Sequence, residues 1–502
     1  MSTTTVTINT VQQVGQMLYV DQTYGSDSGP TIGLRNRFDR PFLTPEAAKA
    51  AAMAGDLIHV GVGDYAVTDT LTKNGVSWYF EQGASVTMTN GSGNGIFDDN
   101  SVAIVCEVRG FGDFITLDDV SNFTRTYGTI CTRNAASDIR VTCNSILGTC
   151  TEDEPGLNAC VWGFDGKVYV NCNTMLGDYA NCLYWENGDM FIDCPSIKAA
   201  NISAIATIAS DTMTGKLWVN AQEIVQNGTN DASVIFMGGS EPNAQAWIQA
   251  LEIRSNSDIG RALISDWAGK LYITAQKISG GVDSTAIWLS NGRSWITTEK
   301  FGGGSDMVRI TGGEHYVTTQ NFDADNATSI ANISGGTLNL TGMLALSVAD
   351  GIVISGGTAI INGLTIDTSV SATSNPIVKS GGTLTLNNCT LIPEATRNAV
   401  EAATAQTVYS NGSTSAFDSH ANVTFEGDFF YNDGTDATGN VATQNANGSW
   451  SWAAPAGGGG TWGSITGTLS DQTDLQAALD AKADKFPSVR AFTGTTDTLV
   501  IG

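Results

Sequence analysis

A single internal register repeats along this chain, with starts near Ser137, Gly166, Gly188, Gly215, Ala244, Gly269, Gly292, Gly313, Gly336, Gly357 and Gly382. The intervals run from 21 to 29 residues and average 24.5. Variable spacing around a constant register means stacked coils whose loops differ in length. Counted on from each start, positions 2 and 4 are apolar: Val168 and Val170, Met190 and Ile192, Leu217 and Val219, Leu271 and Ile273, Leu338 and Leu340, Leu384 and Leu386. Alternation of period two belongs to a strand with one buried face. Position 6 is small (Cys143, Cys172, Cys194, Ala221, Ala250, Ala275) and position 9 is large (Ile146, Met175, Ile197, Ile224, Ile253, Ile278). A second apolar segment closes each coil, as at 286–289, 351–354 and 377–378, and Gly-Gly pairs follow it at corners that need positive φ or no side chain.

These features predict an all-β fold, a parallel β-helix in which each rung buries its apolar face by pairing with the rungs above and below. Leucine-rich repeats have a similar period, but their Leu/Asn consensus is missing and no helical segment recurs. Rungs about 4.8 Å apart make the ten intervals a shaft of roughly 48 Å.

Charge narrows the function. With 24 basic against 50 acidic residues the formal charge is −26, which lacks the electrostatic footprint of a nucleic-acid-binding protein and repels anionic membranes. No stretch approaches about 18 consecutive apolar residues, so no membrane insertion is expected. The N-terminus has neither the charged nor the apolar region of a secretion signal.

The nine cysteines fall largely into the repeat. Cys143, Cys172 and Cys194 occupy inward position 6, with Cys106 expected one coil earlier, while Cys131, Cys160 and Cys182 each precede a start by six residues. Read as ladders, they are unpaired core thiols, suited to folding in a cytoplasm. Zinc-ligand spacings are absent, and no metal or other cofactor is expected. His315 lies at inward position 2 and reads as a core residue; His59 and His420 are isolated, leaving no catalytic triad. Neither a nucleophile elbow nor a phosphate loop occurs.

Outward position 3 carries Tyr169, Phe191, Trp218, Trp247, Tyr272, Trp295 and Tyr316 on seven consecutive rungs. An exterior aromatic row of that length exceeds the scattered apolar residues of an ordinary surface. It is a face that packs on a partner subunit or covering loop, a platform for stacking sugar rings, or a cross-strand stabiliser of an exposed sheet. Lys167, Lys216, Lys270 and Arg293 flank it at position 1. The best-placed carboxylates are Glu223 and Glu252 at position 8 of adjacent rungs, near enough for the roughly 5 to 5.5 Å separation of a retaining glycosidase. The alternative is a charge ladder, which Lys277 and Lys300 continue. Glu186 with Asp189 and Asp153 with Glu154 are weaker pairs. The Asp-rich turns at 25–28 and 432–436 read as turn chemistry rather than calcium sites.

The ends of the shaft carry a resemblance. Tyr19-Val20-Asp21, Gly25-Ser26-Asp27, Pro41-Phe42-Leu43-Thr44-Pro45-Glu46-Ala47-Ala48, Gly55-Asp56-Leu57-Ile58-His59-Val60 and Gly63-Asp64-Tyr65 together resemble the opening coils of right-handed β-helix proteins, including bacteriophage tailspikes and tail fibres, and also bacterial adhesins. Thr44 as N-cap, Pro45 in the first turn and Gly55 as a stop delimit a short helix that plugs the stack. Residues 462–483, from Trp462-Gly463-Ser464-Ile465 to Leu479-Asp480-Ala481-Lys482-Ala483, look like a short helical connector of phage tail-fibre proteins, with Leu475, Ala478 and Leu479 on one face needing a partner.

The resemblance implies a homotrimer. Its expected organisation is a virion-attachment segment at 1–17 that docks on other tail or baseplate proteins, an opening coil with capping helix at 18–70, and a right-handed parallel β-helix at 71–399. An irregular β region at 400–452, a Gly-rich linker at 453–460, a trimerisation connector at 461–485 and the start of a further domain at 486–502 follow. The leading expectation is a structural fibre or tailspike of the virion tail that attaches to host surface polysaccharide. The alternatives are a tailspike enzyme degrading capsule or lipopolysaccharide through Glu223 and Glu252, and a bacterial surface adhesin.

Overall fold

The structure, a computed structural model, describes residues 15–411 apart from segments at 30–32, 91–94, 119–127, 151–158, 209–213, 229–231, 304, 325–327, 348–349, 372, 395–396 and 403–405, together with strands Ala421–Glu426, Val441–Gln444 and Trp450–Ala453. The chain divides into two units at Tyr431. The first is a parallel β-solenoid of about 12 turns with one helix among its described residues. Of the second, the described part is the antiparallel hairpin of Val441–Gln444 with Trp450–Ala453. The expected connector, with Leu475, Ala478 and Leu479, lies outside the described residues, as do residues 1–14 and 454–502.

From Ser77–Phe80 to Val400–Glu401 each turn contributes to three parallel ladders. Positions 1 to 5 form the first, which begins with Met17–Val20 on Leu57–Val60 and runs past residue 399 through Gln406–Asn411 to Ala421–Glu426. Positions 8 to 11 form the second, from Gly63–Val67 to Thr390–Ile392. The closing segments form the third, a 13-stranded sheet from Phe97–Asp98 to Val400–Glu401. In several rungs one strand of 10 to 12 residues, such as Asp138–Thr149 or Lys167–Asp178, bends through both of the first two ladders. Elsewhere the strand breaks: Pro195 lacks an amide donor, and it separates Asp189–Asp193 from Ser196–Ala200.

Like sits on like inside. Val168 lies between Ile139 and Met190, Met175 between Ile146 and Ile197. On the third ladder one inward column runs Val161, Leu183, Ile205, Ile235, Leu263, Ile287 and onward to Val400. All are buried in one continuous core. The bend at position 6 admits a small side chain, and in three rungs that side chain bonds the carbonyl two residues on: Cys194 to Ser196, Thr298 to Lys300, Thr319 to Asn321. Core columns are not uniformly apolar. Lys379 follows Ile354 inward, is buried, and satisfies its ammonium on the Gly382 carbonyl at 2.7 Å.

All nine cysteines are buried thiols outside any disulfide. Cys143, Cys172 and Cys194 stack at position 6, and Cys160 sits beside Cys182 on the third ladder. Two differ from the sequence reading. Cys106 faces Ile139, which is position 2, and Cys131 faces Trp162, one residue off the Cys160 column. Loop length between rungs shifts the count without shifting the ladder. Cys131 thereby leaves the main core and joins Ala159, Trp162, Tyr184 and Ala206 in a second buried cluster on the outer side of the third sheet.

The helix Pro45–Ala51 has Thr44 as N-cap, its hydroxyl accepting from the Ala47 amide, and Pro45 in the first turn. It buries Pro45 and Ala48 and packs on the first strands of the solenoid. Asp27, in a turn read as ordinary, accepts from the Leu43 amide and the Thr44 hydroxyl and fixes that cap.

The corners explain the glycine pairs. Gly336 and Gly357 adopt φ of 66° and 68°, and a Cβ at Gly357 would lie 2.5 Å from the Gly336 carbonyl oxygen. Replacing Gly357 by Ala is expected to cost about 1–3 kcal/mol of backbone strain, before any clash is counted. Gly302→Ala, where the nearest atom lies 3.8 Å away, is expected to change little. Urea unfolding of the two variants compares them.

Candidate binding face

Position 3 places the seven rings on adjacent strands in register: Tyr169 on Phe191, Phe191 on Trp218, Trp218 on Trp247, Trp247 on Tyr272, Tyr272 on Trp295, Trp295 on Tyr316. Strand spacing sets their separation, and the rings align into one stack with centroids 4.4 to 5.7 Å apart and planes within 9° of parallel. Each contact contributes about 0.5–1.5 kcal/mol beyond burial. All seven are half-buried.

The row has one member that sequence reading passed over. Arg140 holds position 3 of the first rung, and its guanidinium lies 4.7 Å from the Tyr169 centroid, held by two hydrogen bonds to Asp138 of 2.8 and 2.9 Å. A cation over the end face of a ring stack is favourable by about 0.5–1 kcal/mol at an exposed site. At the far end the Tyr316 hydroxyl donates to Glu314, which also pairs with Arg293 at 2.9 Å. Lys216 lies over Trp218 at 5.7 Å.

Because each ring covers its neighbour, the row turns edges, not faces, to solvent along its length. Face-on stacking of sugars is therefore closed along the row, and Arg140 covers the end face at Tyr169. A groove of about 670 Å³ runs beside it, lined by Arg140, the rings from Tyr169 to Tyr272, and the position 5 column Thr142, Asn171, Asp193, Asn220, Gln249 and Thr274. Asn220 donates to Asp193 at 2.9 Å, which orders part of that polar wall. The signal was present as a polar residue two places after every ring, but polar residues on an outer strand face are the norm and mark nothing by themselves.

Glu223 and Glu252 do pair in register on the second ladder, away from the groove lining. Each carboxylate has basic partners. Glu223 accepts from Ser196 at 2.8 Å and Lys198 at 2.6 Å; Glu252 meets Lys277 and Arg254, both at 3.1 Å. Burial works to raise the Glu223 pKa, but the Lys198 and Ser196 hydrogen bonds outweigh it and hold the group below its ordinary range. A general acid needs the opposite shift. Among the weaker pairs, Asp189 accepts from the Lys216 amide, and Asp153 and Glu154 lie outside the described residues. Among the described residues no group of three or more potential ligands is arranged to hold a metal ion.

Two further outer columns escaped sequence reading. Tyr19, His59 and Tyr79 share a register on the first strands, with His59 5.6 and 5.2 Å from the two rings and 2.9 Å from Glu81. On the third sheet Trp162, Tyr184, Ala206, Phe236, Ile264 and Trp288 follow one another outward, ending with Trp288 between Arg261 and Arg309. The signal of this second column is closing segments apolar at consecutive positions; Trp162, Tyr184 and Ala206 are buried, so their strands are covered on both faces, whereas Phe236, Ile264 and Trp288 are half-buried.

His315 is fully buried, bonded through Nδ1 to the Ser294 hydroxyl at 2.9 Å and through Nε2 to the Gly312 carbonyl at 2.8 Å. Burial lowers its pKa from 6.5 to about 4. Above pH 6.5 the ring is neutral folded or unfolded and contributes no pH dependence. As pH falls from 6.5 towards 4 only the unfolded chain takes up the proton, so stability should drop by about 3 kcal/mol across that window and level off below it. The pair Ser294→Ala with His315→Leu should flatten this part of the stability-pH curve, as chemical denaturation at a series of pH values will record. No protein family, no curated protein and no solved structure matches the chain.

Proposed function

We propose that this chain is the shaft subunit of a virion tail fibre or tailspike, and that it binds a linear host-surface polysaccharide lengthwise in the groove beside the ring row. The observation that carries this reading is periodicity: each rung from that of Arg140 to that of Tyr272 offers the groove one aromatic edge or cation and one hydroxyl, amide or carboxylate. A site that repeats once per rung suits a polymer that repeats along its length. Sugars bring apolar C–H surfaces for the ring edges and hydroxyls for Asn171, Asp193, Asn220 and Gln249.

The resemblance of residues 19–65 and 462–483 to phage fibres supports the virion setting, a right-handed coil, docking through the N-terminus and a homotrimer. The enzymatic alternative is weaker, because Glu223 and Glu252 are neutralised by Lys198, Lys277 and Arg254 and stand apart from the groove.

Titration calorimetry with capsule or lipopolysaccharide fragments from the host tests the site. Asn220→Ala with Gln249→Ala removes two amides at about 0.5–1.5 kcal/mol each, and should weaken binding about tenfold. Glu223→Gln should leave it unchanged. Equal affinity in the wild type and the double variant overturns the groove as the site. Light scattering of the full chain should give the mass of three copies, and a stable monomer overturns the assembly.

A further inference from the structure

Asn-Gly steps turn several corners of the solenoid. Among the described residues they are Asn74–Gly75, Asn187–Gly188, Asn227–Gly228, Asn291–Gly292 and Asn362–Gly363. In four of them the side-chain oxygen is engaged by another segment: Asn74 by the Val105 amide, Asn187 by the Thr214 amide, Asn227 by the Asn256 amide group, and Asn362 by that of Asn387. Gly75 and Gly363 are held further, their own amides donating to the Val105 and Asn387 carbonyls.

Asn291 is arranged differently. Its carboxamide folds back on its own chain, and the Gly292 nitrogen lies 2.8 Å from Oδ1. The nitrogen is thus held beside the carboxamide whose carbon it would attack, at an exposed position with access to water. Glycine at 292 carries no side chain to obstruct the approach.

From this we infer that Asn291–Gly292 is a site of spontaneous self-modification, at which the carboxamide is converted to a carboxylate. The Gly292 nitrogen, losing its proton, bonds to Cγ of Asn291. The Cγ–N bond of the carboxamide breaks, and ammonia departs with the proton. Water then opens the five-membered succinimide at either carbonyl, giving aspartate or isoaspartate. No redox partner or metal is required.

The location gives the change consequences. The new carboxylate stands next to Arg293 and near Lys270, which is in register with Arg293 at the border of the ring row. The isoaspartyl product also lengthens the backbone by one carbon in a crowded corner, where a Cβ on Gly292 would already lie 2.1 Å from the Trp267 carbonyl oxygen. Asp165–Gly166 has the same arrangement, with the Gly166 amide 3.1 Å from Oδ1 of Asp165. There the leaving group is water, and the same ring leads to isoaspartate.

Incubation of the full chain in mildly alkaline buffer, followed by peptide mapping with mass spectrometry, reads the rate at each step. In the folded protein Asn291 should convert at least about tenfold faster than Asn74 or Asn362, the factor that about 1.4 kcal/mol of local opening imposes on a locked corner. In concentrated urea the rates should converge, since the sequence step is the same. Asn291→Gln should abolish the signal at this corner while leaving the others. Conversion of Asn291 no faster than that of Asn362 in the folded protein, or conversion only after unfolding, overturns the inference.

Discussion

In-register parallel pairing governs everything else in this molecule. When a strand lies on its neighbour without offset, each side chain has the same position of the next coil above and below it, at about 4.8 Å. Aliphatic side chains gain packing from such stacking, small ones permit a bend, and flat rings overlap. Like charges are the exception. Glu223 over Glu252 is tolerated because Lys198, Arg254 and Lys277 interleave with them, at a surface where each pair is worth only about 0.2–1 kcal/mol. The acidic excess of the chain is thereby compatible with a sheet in which acidic residues face one another.

The same constraint made much of the fold readable. Positions 2, 3 and 4 alternate inward and outward as strands must, so Val168, Tyr169 and Val170 could be assigned without coordinates. Cys131 and Cys106 were misplaced for an equally physical reason. Their distance from the next start depends on a loop, and loops lie outside the ladder that enforces register. Trp162 and Tyr184 were missed because their strands are covered on both sides, which removes the alternation that distinguishes in from out.

The candidate binding face was legible in part. That the rings project from consecutive coils follows from period alone. Their parallel alignment does not, since side-chain rotation is decided by neighbours, and it changes what the row can do: stacked rings satisfy one another and expose edges. The polar wall of Asn171, Asp193, Asn220 and Gln249 acquires meaning only when seen across the groove from those edges. For Glu223 and Glu252, spacing located the pair correctly, yet sequence could not weigh the lysines and arginine that interleave with them.

The buried sulfur columns bear on where such a chain can travel. Burial pushes Cys106 up to about 12 and Cys131 and Cys182 well above their ordinary range, while hydrogen bonding from Cys143 and Cys172 raises Cys172 and Cys194 in turn. Thiolate is the species that exchanges or alkylates, and it is suppressed in each of these five groups. An oxidising medium is therefore expected to leave these five thiols as they stand at folding, each shut away from the exchange that a thiolate would begin.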